Sequence, residues 1–280
     1  MPADHIPSLS SRRLGRALQA LREHRRLSCD QAASVAGHEA IWLIQVEVGQ
    51  DQITVEELRG LLDLYAVGDD HVRRDLVDLV GLAGGPSWVR RHAGWLGELE
   101  RDFIVLESEA SAVRAFGIPL IPELLRTEGY ARAFFTAVRL PGAVSSVDQQ
   151  MDLLLSRQRH EGNGTRRRLH AVLDETAILQ PVGGEHTMRG QLRHLVEQAA
   201  NDDTVLQLIP REVGAHPGLD GSFHILDFAD PHEPSVSISH SALGPLVSYV
   251  DLDDHFHKLE QVALSAADSL FLIEQALDEL

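Results

Sequence analysis

The 280-residue chain predicts an all-α N-terminal domain over residues 1–85 followed by an α+β domain over residues 86–280. Three observations carry that division. Apolar residues recur at helical spacing, with capping signals, through the first eighty residues; Gly84-Gly85-Pro86 then breaks the pattern; and beyond it short β-rich runs alternate irregularly with helical stretches.

Residues 1–10 read as a frayed tail. Leu14, Ala17, Leu18 and Leu21 then fall at i, i+3, i+4 and i+7, one apolar stripe on a first helix that ends near Arg26. Its other face holds Arg12, Arg13, Arg16, Arg22, Arg25 and Arg26. Ser28 stands three residues before Gln31, a capping box that opens a second helix with a small-residue face of Ala32, Ala33, Val35 and Ala36. Gly37 makes the turn. A third helix runs from about Glu39 to Val48, burying Leu43 and Val46, and Gly49 closes it in the left-handed conformation. Thr54 with Glu57 repeats the capping box and opens a fourth helix with Val55, Leu58, Leu61, Leu62 and Tyr65 inward. Val72, Leu76, Leu79 and Val80 supply the stripe of a fifth, which stops at the Gly-Gly-Pro break.

The formal net charge of −17 argues against general affinity for nucleic acid or anionic membranes. Its distribution is uneven. Residues 1–27 hold six Arg against Asp4 and Glu23, a balance of +4, whereas residues 28–80 hold only Arg59, Arg73 and Arg74 against eleven acids, a balance of −8. Cys29 is the single cysteine, so an intramolecular disulfide and a thiolate metal cluster are both excluded. No apolar run reaches the roughly 18 residues of a membrane span, and residues 1–13 lack a hydrophobic signal core, so a cytoplasmic location is expected. Lys258 is the only lysine.

The stretch L-G-x-x-L-x-x-L-R-E at residues 14–23, followed by x-V-E-x-G at 45–49, resembles the Xre/Cro/CI helix-turn-helix family, with its lambda-repressor-like bundle. The resemblance implies a DNA-binding regulator that works as a dimer. It places the base-reading positions on Glu39, Ala40, Ile41, Trp42, Ile44 and Gln45, with Arg12, Arg13, Arg25 and Arg26 available for phosphates. Of these, only Gln45 offers the amide that pairs with adenine. Ile41, Ile44 and Val48, joined by Trp42, form a second apolar stripe on the outward face, where that family usually carries Ser, Thr, Arg or Asn. An outward apolar stripe also suits a protein partner, so a scaffold that keeps the fold and grips protein or a small molecule stands as the alternative.

From Trp88 to about Phe116 the spacing predicts helix, with Trp95, Leu99, Phe103 and Leu106 on one buried side. Strands are expected at Leu169–Leu173, Val205–Ile209, Phe223–Phe228, Val236–Ile238 and Leu246–Val250, and helices at Val147–Arg159, Met188–Ala200 and Ser265–Leu277. Residues 118–135, IPLIPELLRTEGYARAFF, resemble the VPGLLQTEDYARA signature of the C-terminal domain of actinobacterial WhiJ-like, antitoxin-like regulators. Arg126 replaces Gln and Gly129 replaces Asp. LDETAI at 173–178, VGGEHTMRGQLRHL at 182–195, LQLIPREVGAHPGLDGSFHILDF at 206–228 and ALSAADSLFLIEQAL at 263–277 continue the likeness in order, and Arg157-x-Arg159 stands at its basic helix end. Val236-Ser237-Ile238-Ser239 departs from the VVYVE usual there. The resemblance implies a domain that dimerises and binds an effector or a small BldB-like partner protein.

Gly162-Asn163-Gly164-Thr165 and Gly183-Gly184 lack the strand, spacing and lysine of a phosphate cradle. The pairs His255/His257 and His186/His194 lack metal-ligand spacing, so neither metal nor cofactor is expected. His216, Asp220 and Ser222 are the residue types of a nucleophilic triad, but three residues of one loop rarely reach one another, and no catalytic role is assigned. Glu175 follows an apolar run with Arg114, Arg126, Arg132, Arg157 and Arg159 available to pair with it. An inter-element ion pair is the plain expectation. The sharper one is an arginine-lined pocket for a small acidic effector or a partner, with Tyr130 and Trp95 as aromatic wall and His216 and Ser222 nearby.

Overall fold

The computed structural model describes residues 7–82, 85–159, 167–241, 244–248 and 252–280. The chain forms two compact units, Met1–Ala93 with Gly97–Leu106, and Gly94–Leu96 with Glu107–Leu280.

In the first unit, α1 (Leu9–His24) begins earlier than the tail expected over residues 1–10 allows. Ser8 caps it, its hydroxyl accepting from the Ser11 amide at 3.1 Å, and Leu9 and Ser10 are buried. The cap and the buried Leu9 explain why helix extends into a segment whose first six residues lie outside the described ones. Next come α2 (Cys29–Ala33), a 3-10 turn at Ser34–Ala36, Gly37 at φ 78°, and α3 (Ala40–Glu47). Gly49 follows at φ 80°. Both expected capping boxes are present, Ser28/Gln31 on α2 and Thr54/Glu57 on α4 (Val55–Leu64). Then follow α5 (Asp70–Leu82), α6 (Ser87–Arg90) and α7 (Glu98–Glu109), whose residues up to Leu106 belong to this unit and whose last turn belongs to the second. Leu14, Leu18, Ala33, Trp42, Leu43, Val46, Leu58, Leu61, Leu62 and Tyr65 share one core. Gly15 lets α1 and α3 touch, since a Cβ there would sit against the Glu47 carbonyl oxygen.

The second unit opens on β1 (Ala112–Gly117), in the middle of a stretch where helix was expected to Phe116. Helix forms there only as α6 and α7; residues 91–97, Trp95 among them, make the turn between the two. Beyond Ala110 the chain joins a sheet as an inner strand, with Val113, Ala115, Phe116 and Gly117 buried and Ala112 and Arg114 half-exposed, and this short run is too brief to stand apart from the helical stripe before it. After β1 come α8 (Glu128–Ala137) and α9 (Val147–Arg159), then β2 (Arg168–Asp174), the short α10 (Thr176–Leu179), and α11 (Glu185–Ala199). β3 (Thr204–Ile209), β4 (Phe223–Asp227), β5 (Val236–Ser241), β6 (Gly244–Ser248), α12 (Asp253–Val262) and α13 (Ala266–Asp278) complete it. The sheet order is β3-β2-β1-β4-β5-β6: β1, β2 and β3 are parallel, and β4, β5 and β6 add antiparallel. This mixed sheet with helices makes the unit α+β, as the sequence predicts.

Alternation then sorts the core. Ala171, Leu173, Leu206 and Leu208 pack with Met188, Leu192 and Leu195 of α11 and Ile273 of α13, while Val172, Ile209, Phe116, Phe223 and Ile225 pack with Phe256 and Leu259 of α12. The outer edge of β3 is plugged. Ser269 accepts from the Leu208 amide at 2.8 Å, and the Leu208 carbonyl receives the Leu264 amide at 2.8 Å, which blocks strand addition there. Among the described residues no helix is long and apolar enough to cross a membrane.

Candidate nucleic-acid interface

The corner α2–Gly37–α3 presents one side of α3 to solvent. Ile41, Ile44 and Val48 are 57, 44 and 53% exposed, and Gln45 and Glu39 are exposed beside them. Trp42 is not part of that stripe: it is 9% exposed, packs in the core, and stacks on His38 with ring centroids 4.1 Å apart. A helix turns 100° per residue, so Ile41 and Trp42 cannot share an outward face once Leu43 and Val46 fix the inward one. Ala40 is half-buried at the first turn. Glu39 occupies the N-cap position with extended backbone and no side-chain cap bond. His38 reaches Glu57 at 2.7 Å, tying the turn to α4 and helping to hold the Glu57 carboxyl below its ordinary range; burial works the other way there but loses to the Thr54 and His38 bonds.

The arginines expected on one solvent face of α1 divide. Arg22 is turned inward, its Nε and Nη2 donating to the two Glu47 oxygens at 2.6 and 2.7 Å and its Nη1 to the Leu27 carbonyl at 3.0 Å. Sequence spacing hides this pairing because 25 residues separate its partners; the only hint was an acid at the end of the third helix, where the negative dipole end disfavours one. Arg25 donates to the carbonyls of Tyr65 and Ala66 at 2.6 and 3.1 Å, so it closes the C-terminal end of α4. Arg26 is exposed at φ 55°, just past the helix, and Arg12 and Arg13 are half-buried in its first half.

In the second unit, the arginines proposed around Glu175 do not gather on it. Arg114 forks onto Asp227 at 2.8 and 2.7 Å and reaches Asp253 at 2.6 Å. Arg157 forks onto the buried Glu107 at 3.0 and 2.7 Å, with Arg167 also near at 3.6 Å. Burial pushes the Glu107 carboxyl up, but the two guanidinium groups outweigh it and hold it below its ordinary range. Arg132 meets Asp148, and Arg159 is exposed at the end of α9. Arg126 is buried, donates to the Ile121 carbonyl at 2.6 Å and lies over the Phe134 ring at 4.8 Å. Glu175 instead accepts the Arg211 backbone amide at 2.7 Å. The reason is geometric: each arginine finds an acid or carbonyl on a neighbouring element, and Glu175 finds a turn amide first. Tyr130 is fully buried among Ile121, Ala171 and Leu192, and Trp95 is half-buried between α6 and α7, so the two form no common wall in that core.

His216 and Ser222 are likewise occupied. His216 Nδ1 accepts from the Gly218 amide at 3.2 Å, which leaves the ring proton on Nε2, facing Asp174 at 3.2 Å. Ser222 accepts from the Ile118 amide at 3.0 Å and donates to the Ile118 carbonyl at 2.8 Å. Gln191 does the same for Thr127 and Leu125, accepting at 2.7 Å from one and donating at 2.7 Å to the other. Other polar side chains here also hold local backbone: Asp174 the Thr176 amide, Ser265 the first turn of α13, Ser269 the Leu208 amide of β3. An open cavity of about 350 Å³ bounded by Ile178, Leu179, Pro181, Met188, Ala276 and Leu280 has Glu185 and Glu279 in its lining and no arginine. Gly183 and Gly184 both take positive φ ahead of α11, and residues 162–165 lie outside the described residues.

Two family models match the chain: a helix-turn-helix domain over residues 13–76, and the domain of unknown function DUF5753 over residues 100–275. No curated protein and no solved structure matches it.

Proposed function

The chain belongs to the DUF5753 family and carries a helix-turn-helix domain ahead of it, and from these premises we propose that it is a DNA-binding transcriptional regulator of the actinobacterial WhiJ-like type. In this reading residues 1–85 bind DNA as one half of a homodimer, and residues 86–280 dimerise and receive a BldB-like protein partner or a small effector. The observation that carries it is the corner α2–Gly37–α3 inside a capped helical bundle, with Gln45 exposed on α3. Two such helices, related by a dyad, would reach major-groove half-sites one turn apart. Gln45 would read adenine, Glu39, Ala40, Ile41 and Ile44 would line the groove, and Arg12, Arg13 and Arg26 would meet phosphates, with Arg25 contributing what its α4 bonds leave free.

Fluorescence anisotropy against the DNA upstream of its own gene tests this. Tight, sequence-selective binding that weakens steeply with salt supports it, and no binding at low salt sinks it. Gln45→Ala should cost ~1–3 kcal/mol at one base position, whereas Arg26→Ala should weaken all sequences alike.

A second reading has its own observation. Ile41, Ile44 and Val48 give α3 an aliphatic outward face in a domain whose residues 28–80 are strongly acidic, which suits a protein-gripping module better than a polyanion. Ile44→Asp should abolish capture of a purified protein encoded beside this one if α3 grips it; unchanged capture removes this reading.

A further inference from the structure

Arg59, Arg73 and Arg74 are the only Lys or Arg residues between positions 28 and 80, and all three line one open cleft of about 380 Å³ between α4 and α5. Its remaining lining is Leu62, Val77 and Asp70. Leu62 is fully buried and Val77 half-buried, so Val77 supplies the accessible apolar floor while the rim is cationic. Eleven acids share this stretch of sequence, yet the cleft lining holds three guanidinium groups and one carboxylate.

The rim is also held in place. Arg73 donates through Nε to the Val67 carbonyl at 2.7 Å and pairs with Asp63, and Arg74 donates through Nε to the Asp70 carbonyl at 3.1 Å and contacts His71 Nδ1 at 3.1 Å. These bonds fix both guanidinium planes before any ligand arrives, so less side-chain entropy is lost on binding. Arg59 is exposed and makes no ion pair or hydrogen bond among the described residues. Asp70 sits in the first turn of α5, where the helix dipole offsets part of its charge.

We propose that the α4–α5 cleft is a binding site for a small amphipathic acid, its anionic head on Arg59 and Arg74 and its apolar body against Val77. The volume suits a ligand of that size, and the guanidinium groups of Arg59 and Arg74 suit a carboxylate or phosphate head. A DNA backbone would need the cations but has no use for a concave apolar floor. The site lies in the helix-turn-helix unit and stands apart from the DNA-binding reading.

The test is a titration of the full-length protein, labelled with 15N-arginine, with sodium octanoate, octanol, inorganic phosphate and a 20-base-pair duplex of its upstream DNA. The expected result is saturable movement of the Arg59 and Arg74 Nε–H signals, assigned by Arg59→Gln and Arg74→Gln, with octanoate and not with octanol. Arg59→Gln should weaken octanoate about tenfold, and Arg59→Lys should weaken it less, because a point charge keeps the attraction without the fork. Arg59 is exposed, so its variants should fold, and unchanged backbone amide spectra check that. Equal response to octanol, no response to octanoate, or movement only with phosphate or the duplex overturns the proposal. Operator binding, measured separately by anisotropy, can persist or vanish without changing how the octanoate titration is read.

Discussion

Replacing Arg22 with alanine removes the guanidinium that forks onto Glu47. The Arg22 side chain is 11% exposed and the Glu47 side chain 6%, and three hydrogen bonds join Arg22 to Glu47 and Leu27. A surface pair of this kind would be worth about 0–1 kcal/mol. A buried pair behaves differently, since the survivor keeps its desolvation cost without its counter-charge, and breaking it costs about 3–5 kcal/mol. The residual exposure of Arg22 argues for the lower end, ~3 kcal/mol. In a unit of this size each kcal/mol moves the midpoint by about 4–8 °C, so the first unit should melt at least ~12 °C earlier. Thermal unfolding read at Trp42, in a background with Trp88→Phe and Trp95→Phe, isolates that unit. The paired substitution Arg22→Met with Glu47→Leu should recover most of the loss, because it buries no charge. A loss below ~1 kcal/mol for Arg22→Ala, or no recovery in the double variant, would refute the view that this pair bolts α1 to α3.

Glu107, held below its ordinary range by Arg157 and Arg167, should stabilise the second unit fully above the usual carboxyl pKa and progressively less as pH falls through its depressed folded value. Urea midpoints between pH 6 and pH 3 should therefore decline less steeply in Glu107→Gln, and equal slopes would count against it. Gly15→Ala should cost about 1–3 kcal/mol by pushing α1 off the Glu47 carbonyl, visible as a lower urea midpoint; a neutral or stabilising result would mean the helices can separate freely. Ser222→Ala orphans the amide and carbonyl of Ile118 and should cost about 1–3 kcal/mol. Faster hydrogen exchange at Ile118 would report it, and unchanged exchange would show that Ser222 is dispensable to the turn.

Caps and stripes were legible because they are local. Ser28/Gln31, Thr54/Glu57, Gly37 and Gly49 sit within four residues of the groups they satisfy, so spacing alone locates them. β1 was not legible. Its AVRAFG run follows a helical stripe and is buried on both sides by partners that lie more than fifty residues away in β2 and over a hundred in β4. The candidate site divided along the same line. The exposure of Ile41 and Ile44 follows from helical phase once Leu43 and Val46 are inside, but Trp42, read as part of the stripe, went inward to His38. The Glu175 cluster dissolved because arginines pair with whichever acid or carbonyl the tertiary neighbours bring within reach, and sequence order carries no record of which that is.

By itself the sequence determined a capped helical bundle with a turn at Gly37, an α+β unit behind it, and the charge imbalance between residues 1–27 and 28–80. Those properties depend on hydrophobic period, backbone conformation and composition, all set within a few residues. Only the tertiary structure decided that Arg22 belongs to Glu47, that Arg25 closes α4, and that Arg59, Arg73 and Arg74 share a cleft. Each of those outcomes needs the distance between side chains on different helices, and that distance exists only after the core has packed.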